Sequence, residues 1–102
     1  MLKIKSEYSD LDKYKDEYGS FCYYKKNTDK YHNPYGPAFI RKSGYKEYWI
    51  EDNLHRLDGL AIIFSDGRGE YYINDERLTE EEFDVHPERL KFLGKEYLLC
   101  LK

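Results

Sequence analysis

Gly44-Tyr45-Lys46-Glu47-Tyr48-Trp49-Ile50-Glu51-Asp52 returns 23 residues later as Gly67-Arg68-Gly69-Glu70-Tyr71-Tyr72-Ile73-Asn74-Asp75. Glycine, glutamate, tyrosine, isoleucine and aspartate recur in place, and an aromatic replaces an aromatic at Trp49 and Tyr72. The same step carries Gly36, Ala38 and Ile40 onto Gly59, Ala61 and Ile63, and His32 onto His55. A period of this length marks stacked copies of one small supersecondary unit.

Working outward, Gly19, Gly44 and Gly67 each stand four residues before an aromatic pair: Tyr23-Tyr24, Tyr48-Trp49 and Tyr71-Tyr72. The first step is 25 residues, not 23, and the two extra residues fall in the turn-forming run Asn27-Thr28-Asp29-Lys30. Each unit reads as two strands. A short one carries small or aliphatic residues (38–41 and 61–64), a Gly turn follows, and the second strand is aromatic (47–51 and 70–74). Glycine at the turn can take the positive φ that tight hairpins demand. Strands this short and closely joined predict an antiparallel meander. Alternation puts Tyr48, Ile50, Tyr71 and Ile73 on one face, and Tyr24, Trp49 and Tyr72 in a row on the other.

Leu2-Lys3-Ile4-Lys5 alternates like a half-buried strand. Residues 9–18 fit either a helix, with Ser9 and Asp12 as a capping box, or a degenerate repeat strand ahead of Gly19; the repeat frame favours the strand. Thr79-Glu80-Glu81-Glu82 is a capping box and opens a helix to about residue 84 or 86. Pro87 marks an end, a kink or the first turn of a second short helix, with Phe83, Val85 and Leu90 as candidate buried residues. Residues 91–101 read as a hairpin about Gly94-Lys95 and a closing apolar strand. The expectation is a mainly β chain: an antiparallel meander of stacked hairpin repeats in a twisted sheet, with one short C-terminal helix and a closing strand. Its parts are an N-terminal strand and degenerate repeat (1–18), hairpin repeats (19–78) and a helix-plus-hairpin cap (79–102) in one domain, as 102 residues allow.

Composition narrows the function classes. Hydrophobic content is 40% but aromatics are 18%, twelve of them Tyr, which suits a thin sheet with rings at half depth better than a deep core. A net charge of −3 argues against a general nucleic-acid or acidic-membrane binder. Residues 70–89 hold eight acids against two arginines. They form either a solvated helical face or an acidic docking surface. No run approaches the roughly 18 apolar residues of a membrane span, and the N-terminus has no apolar run of a signal peptide. A cytoplasmic setting with Cys22 and Cys100 reduced is expected.

Catalytic and metal chemistry find little purchase. As repeat mates, His32 and His55 should lie about 9–10 Å apart, too far to share one zinc. Neither cysteine has a histidine nearby in sequence, and there is no phosphate loop or paired-carboxylate signature. His55, Asp58 and Gly59 read as a structural loop, with His55 and Asp58 hydrogen-bonding within the loop and Gly59 supplying backbone freedom. No enzyme activity, cofactor or metal is expected. The candidate protein-binding residues are Tyr24, Trp49 and Tyr72, flanked by Arg41, Arg56, Arg68 and Arg77, together with the acids Glu76, Glu80, Glu81, Asp84 and Glu88. Trp, Tyr and Arg dominate interface hot spots.

The unit His55-Arg56-Leu57-Asp58-Gly59-Leu60-Ala61, with its degraded mate His32-Asn33-Pro34-Tyr35-Gly36-Pro37-Ala38, resembles the MORN-like repeats of small phage and large-DNA-virus proteins. The resemblance covers about residues 13–83. It implies a non-enzymatic module that binds a protein partner, plausible for a small viral inhibitor or modifier of a host macromolecule such as a defence-system component. Self-association as a structural module is the alternative, and nucleic acid ranks below both. Leu60 stands where the repeat has Pro, and Asn33 and Tyr35 stand where it has Arg and Asp, so the first loop must be braced in another way.

Overall fold

Each repeat turns on the same pair of backbone hydrogen bonds. Asp16 N–H donates to Ser20 O and Gly19 N–H to Asp16 O. Arg41 with Tyr45, and Gly44 with Arg41, repeat this, as do Phe64 with Arg68, and Gly67 with Phe64. Gly19, Gly44 and Gly67 have φ of 84°, 99° and 91°, the left-handed region that a Cβ disfavours. The three glycines that frame the sequence therefore frame the hairpins.

The computed structural model describes residues 1–95, so Cys100 and the closing strand expected over 96–101 lie outside the described residues. The strands are β1 (Leu2–Ile4), β2 (Leu11–Lys15), β3 (Phe21–Lys25), β4 (Phe39–Ile40), β5 (Lys46–Glu47), β6 (Trp49–Ile50), β7 (Asn53–Leu54), β8 (Ile62–Ile63), β9 (Gly69–Ile73) and β10 (Glu76–Leu78). Eight of them form one antiparallel meander in the order β1-β2-β3-β4-β5-β8-β9-β10, and β6 pairs with β7 in a separate hairpin. Residues 11–15 are strand, as the repeat frame expected. The molecule is long and thin, with principal extents of 51 × 30 × 19 Å.

In each unit the aromatic strand pairs first with a short strand and then with its own return segment. In the third unit β9 does both without interruption. In the second the strand breaks at Tyr48, whose N–H bonds Ala61 O while its carbonyl accepts from His55 N–H. The expected single strand over 47–51 is thus two pieces that change partner at Tyr48. Return turns are two residues long at Glu51-Asp52 and Asn74-Asp75, all four with positive φ. In the first unit Lys25 N–H reaches Lys30 O across four residues, which accounts for the two extra residues.

Register fixes the faces. Cys22, Phe39, Glu47, Ile62 and Glu70 are successive cross-strand partners and share one face. Alternation adds Tyr24, Trp49 and Tyr72 to that face and sends Tyr23, Tyr48 and Tyr71 to the other. The second face carries the helices. Helix α1 (Glu80–Asp84) begins at Thr79 with a complete capping box: Thr79 accepts from Glu82 N–H, and Glu82 accepts from Thr79 N–H. Its Phe83 stacks on Tyr71 at 4.3 Å and joins Ile73 and Leu78 in a buried cluster, with half-buried Leu57 packed against it.

Helix α2 (Pro87–Phe92) has His86 as N-cap and Pro87 in its first turn. Two departures follow. Lys91 and Phe92 are helical, not the start of a hairpin. Gly94, with φ 71°, closes α2 through Gly94 N–H to Lys91 O and Lys95 N–H to Leu90 O, a Schellman ending. Phe83 and Leu90 are buried as expected, but Val85 follows α1 at its C-cap and is exposed.

Candidate functional site

The face opposite α1 and α2 carries a continuous chain of rings. Tyr14 meets Tyr24 edge-on at 5.4 Å, and Tyr24 stacks on Tyr31 at 5.0 Å. Tyr31 touches Trp49 at 5.4 Å and Phe39 at 6.5 Å. Phe39 meets Tyr45 at 6.4 Å, and Tyr45 meets Phe64 at 6.3 Å. Six of these rings are half-buried and Phe64 is exposed. Tyr24 and Trp49 are both in the row, bridged by Tyr31. Tyr72 shares the face but lies outside this chain of contacts, opposite Arg77 across β9 and β10.

The polar fringe of the row is tied down. Glu47 accepts from the Tyr45 hydroxyl at 2.6 Å and from Trp49 Nε1–H at 2.9 Å. Burial, with the Glu47 carboxylate beside it, pushes the Tyr45 phenol up to about 12, so it stays a protonated donor. Burial also raises the Tyr24 phenol. Arg41 lies over Phe39 and Tyr45, at 5.6 and 5.2 Å from the ring centres. The other flanking arginines do not join it. Arg77 pairs with Glu70, Arg68 with Asp66, and Arg56 lies over Tyr48 on the opposite face.

The expected acidic surface is elsewhere. Glu76, Glu80, Glu81, Asp84 and Glu88 are all exposed, but they belong to β10 and the helices, on the Tyr71 side. Glu80 and Glu81 occupy the first turn of α1, where the helix dipole favours them. Glu88 accepts from Asn74 Nδ2 at 2.9 Å and so ties α2 to the last return turn. The ring row and the acids are two surfaces, not one.

In the loop of His55, Asp58 and Gly59, Asp58 bonds within the loop but His55 bonds outside it. His55 Nδ1 accepts from Asn74 N–H at 3.0 Å, and Asp58 accepts from Arg56 Nε–H at 2.7 Å. Gly59 has no left-handed φ. A Cβ there would meet Arg56 Cζ at 3.1 Å, so the guanidinium would have to give by a few tenths of an ångström. His32 repeats the His55 bond, accepting from Glu51 N–H at 2.9 Å.

Between the two return loops lies an open groove of about 300 Å³, lined among others by Tyr35, Tyr48, Arg56, Asp58 and Phe92. Arg56 and Asp58 bond each other there, and His55, which also lines the groove, spends Nδ1 on Asn74 N–H. Cys22 is buried in β3 and its thiol is pushed up by that burial, as suits inert packing. Among the described residues no group of three or more His, Cys, Asp or Glu side chains could hold a metal ion, and no helix is long and apolar enough to cross a membrane.

Sequence reasoning missed Tyr14, Tyr31, Phe39, Tyr45 and Phe64 as members of the row. Period-2 spacing from Trp49 and Tyr24 carried the signal for Tyr45, and the register of β3 with its neighbours carried it for Tyr14 and Phe39. Tyr31 left none, because its repeat mate is Leu54. Comparison with family models, curated proteins and solved structures finds no match.

Proposed function

We propose that the chain is a non-enzymatic protein-binding module of MORN-like repeats, working through the ring row around Trp49. The observation that carries this reading is seven rings in unbroken contact on the face that neither helix covers. Aromatic side chains at half depth give large contact area at little entropic cost, the usual make-up of interface hot spots. In keeping with the resemblance, the partner is a host macromolecule that the protein occludes, a defence-system component being one such target.

Base stacking fits less well. Tyr24 and Tyr31 face each other at an interplanar angle of 20°, so part of the ring area that bases would use is already taken. The Glu47 carboxylate in the row would also repel phosphates.

The test is affinity capture with the wild type, Trp49→Ala, Phe64→Ala and, as a control on the helix side, Phe92→Ala. A partner lost from the two row variants but kept by the control supports the reading, provided circular dichroism shows all four folded. A partner held equally by the folded row variants ends it.

One observation favours self-association as a second reading. Among the described residues the outermost strands are β1, with Lys5 just past its end, and β10, with Glu76. An even number of strands lets a translated copy meet the first one antiparallel. Light scattering that shows a concentration-independent monomer removes this reading.

A further inference from the structure

All three histidines of the chain hold a backbone N–H with Nδ1: His32 that of Glu51, His55 that of Asn74, and His86 that of Glu88. The first two are repeat mates. Each runs from a return loop to the first residue of the next unit's two-residue turn, a step of 19 residues. The residues they hold are left-handed, with φ of 45° at Glu51 and 50° at Asn74. Asparagine takes that region readily but glutamate does not, so the Glu51 turn is the one that gains most from outside support.

At the first joint this support sits beside the ring row. Asp52 N–H donates to Tyr31 O at 2.8 Å, and Tyr31 N–H donates to Asp52 Oδ1 at 3.2 Å. Asn33 N–H donates to Trp49 O at 3.0 Å. Residues 31–33 are thereby clamped to 49–52, and the clamp holds the Tyr31 ring against Trp49. His32 lies in the middle of it.

An imidazole accepts at Nδ1 only while that nitrogen is bare; the imidazolium is a donor at both nitrogens. Protonation would remove the acceptor and set one N–H against another. Burial holds His32 below the ordinary histidine value, with Glu51 and Asp10 pulling upward and Lys25 downward. Burial likewise holds His55 low, against Glu88 and with His86.

We propose that His32 is a pH-sensitive latch on the interaction face. Neutral, it holds the Glu51-Asp52 turn and keeps Tyr31 on Trp49. Protonated, it frees the turn and parts the row at its centre, so a protein bound there is released on mild acidification. Only that last consequence rests on the binding reading; the latch itself does not.

Trp49 is the only tryptophan, so its emission reports the Tyr31 contact without any partner present. The experiment follows that emission from about pH 7.5 to about pH 5.5, above the carboxylate range. The wild type should shift along a single titration below the ordinary histidine value. His32→Asn offers Oδ1 as an acceptor that does not titrate, and should stay flat at the neutral-pH emission. A flat wild-type curve, or the same curve in His32→Asn, overturns the proposal. Should His32→Asn fail to fold, nitrogen-15 NMR of the wild-type imidazole decides. A bare Nδ1 with protonated Nε2 at neutral pH sustains the latch, and a protonated Nδ1 overturns it.

Discussion

Asn33 and Arg56, 23 residues apart, do one job with different chemistry. Asn33 Nδ2 donates to Pro37 O at 3.0 Å, and Arg56 Nη1 donates to Leu60 O at 3.0 Å. Each closes its return loop on the carbonyl four residues ahead. In the second loop Asp58 steadies the guanidinium; in the first, Asn33 Oδ1 itself accepts from Tyr35 N–H. One buried amide thus replaces an arginine–aspartate pair. Asn33→Ala should cost about 1–3 kcal/mol, because it strands polar groups at a site only 4% exposed. Arg56→Ala should cost less, since water reaches that loop more freely. Urea unfolding of both variants measures the difference, and an equal or larger loss for Arg56→Ala contradicts it.

Gly69 has no freedom to change, for a reason unrelated to φ. A Cβ there would lie 1.9 Å from Ile62 O, where β8 and β9 meet. The clash is with backbone, so no rotamer relieves it. Gly69→Ala should destabilise by on the order of 3 kcal/mol. Thermal melting that leaves the variant within a degree or two of wild type would show that the strands separate at little cost.

Phe83 and Val85 stand two residues apart with opposite fates. Phe83 is 2% exposed and stacked on Tyr71, so Phe83→Ala should cost about 3–5 kcal/mol. Val85 is 48% exposed, and Val85→Ala should fall within about 0.5 kcal/mol of wild type. Denaturant midpoints distinguish the two, and a large loss at Val85 would mean that the face it occupies is covered.

Acid should also act through Glu7. Its own backbone N–H and the Tyr23 hydroxyl, which lies 2.8 and 2.7 Å from the two carboxylate oxygens, hold this carboxyl below its ordinary value of 4.5; Lys13 adds to the effect. A lowered folded pKa means the unfolded chain takes up the proton first. The contribution is therefore present above about pH 4.5 and is lost as pH falls through the lowered value. Tyr23→Phe should flatten that part of the stability profile. A profile unchanged by the substitution would place the acid sensitivity elsewhere.

The frame was legible because its causes are local. A glycine before an aromatic pair states a turn and a strand in adjacent residues, and the two-residue excess after Lys26 states a longer loop. What joins one unit to the next was not legible. His55 finds Asn74 across 19 residues, and no spacing in the sequence announces a bond from a side chain to a distant amide. The short apolar run after Leu90 read as the start of a hairpin, and Lys91 and Phe92 are helix instead. His86 as cap and Pro87 in the first turn decided for helix, and Gly94 then stopped it. Of the row, Trp49 and Tyr24 could be placed from alternation, whereas Tyr31 entered from a return segment whose counterpart carries leucine.

Because the joints recur, the array has no built-in length. The bonds from His32 to Glu51 and from His55 to Asn74 are the same joint made twice, and each asks only that another unit stand beside it. A duplicated 23-residue segment spanning 36–58 would bring both halves of a joint with it and would lengthen the molecule by two strand spacings, about 9–10 Å. In such a chain, reach is a heritable quantity that grows in fixed steps by gene duplication, with no new packing to invent.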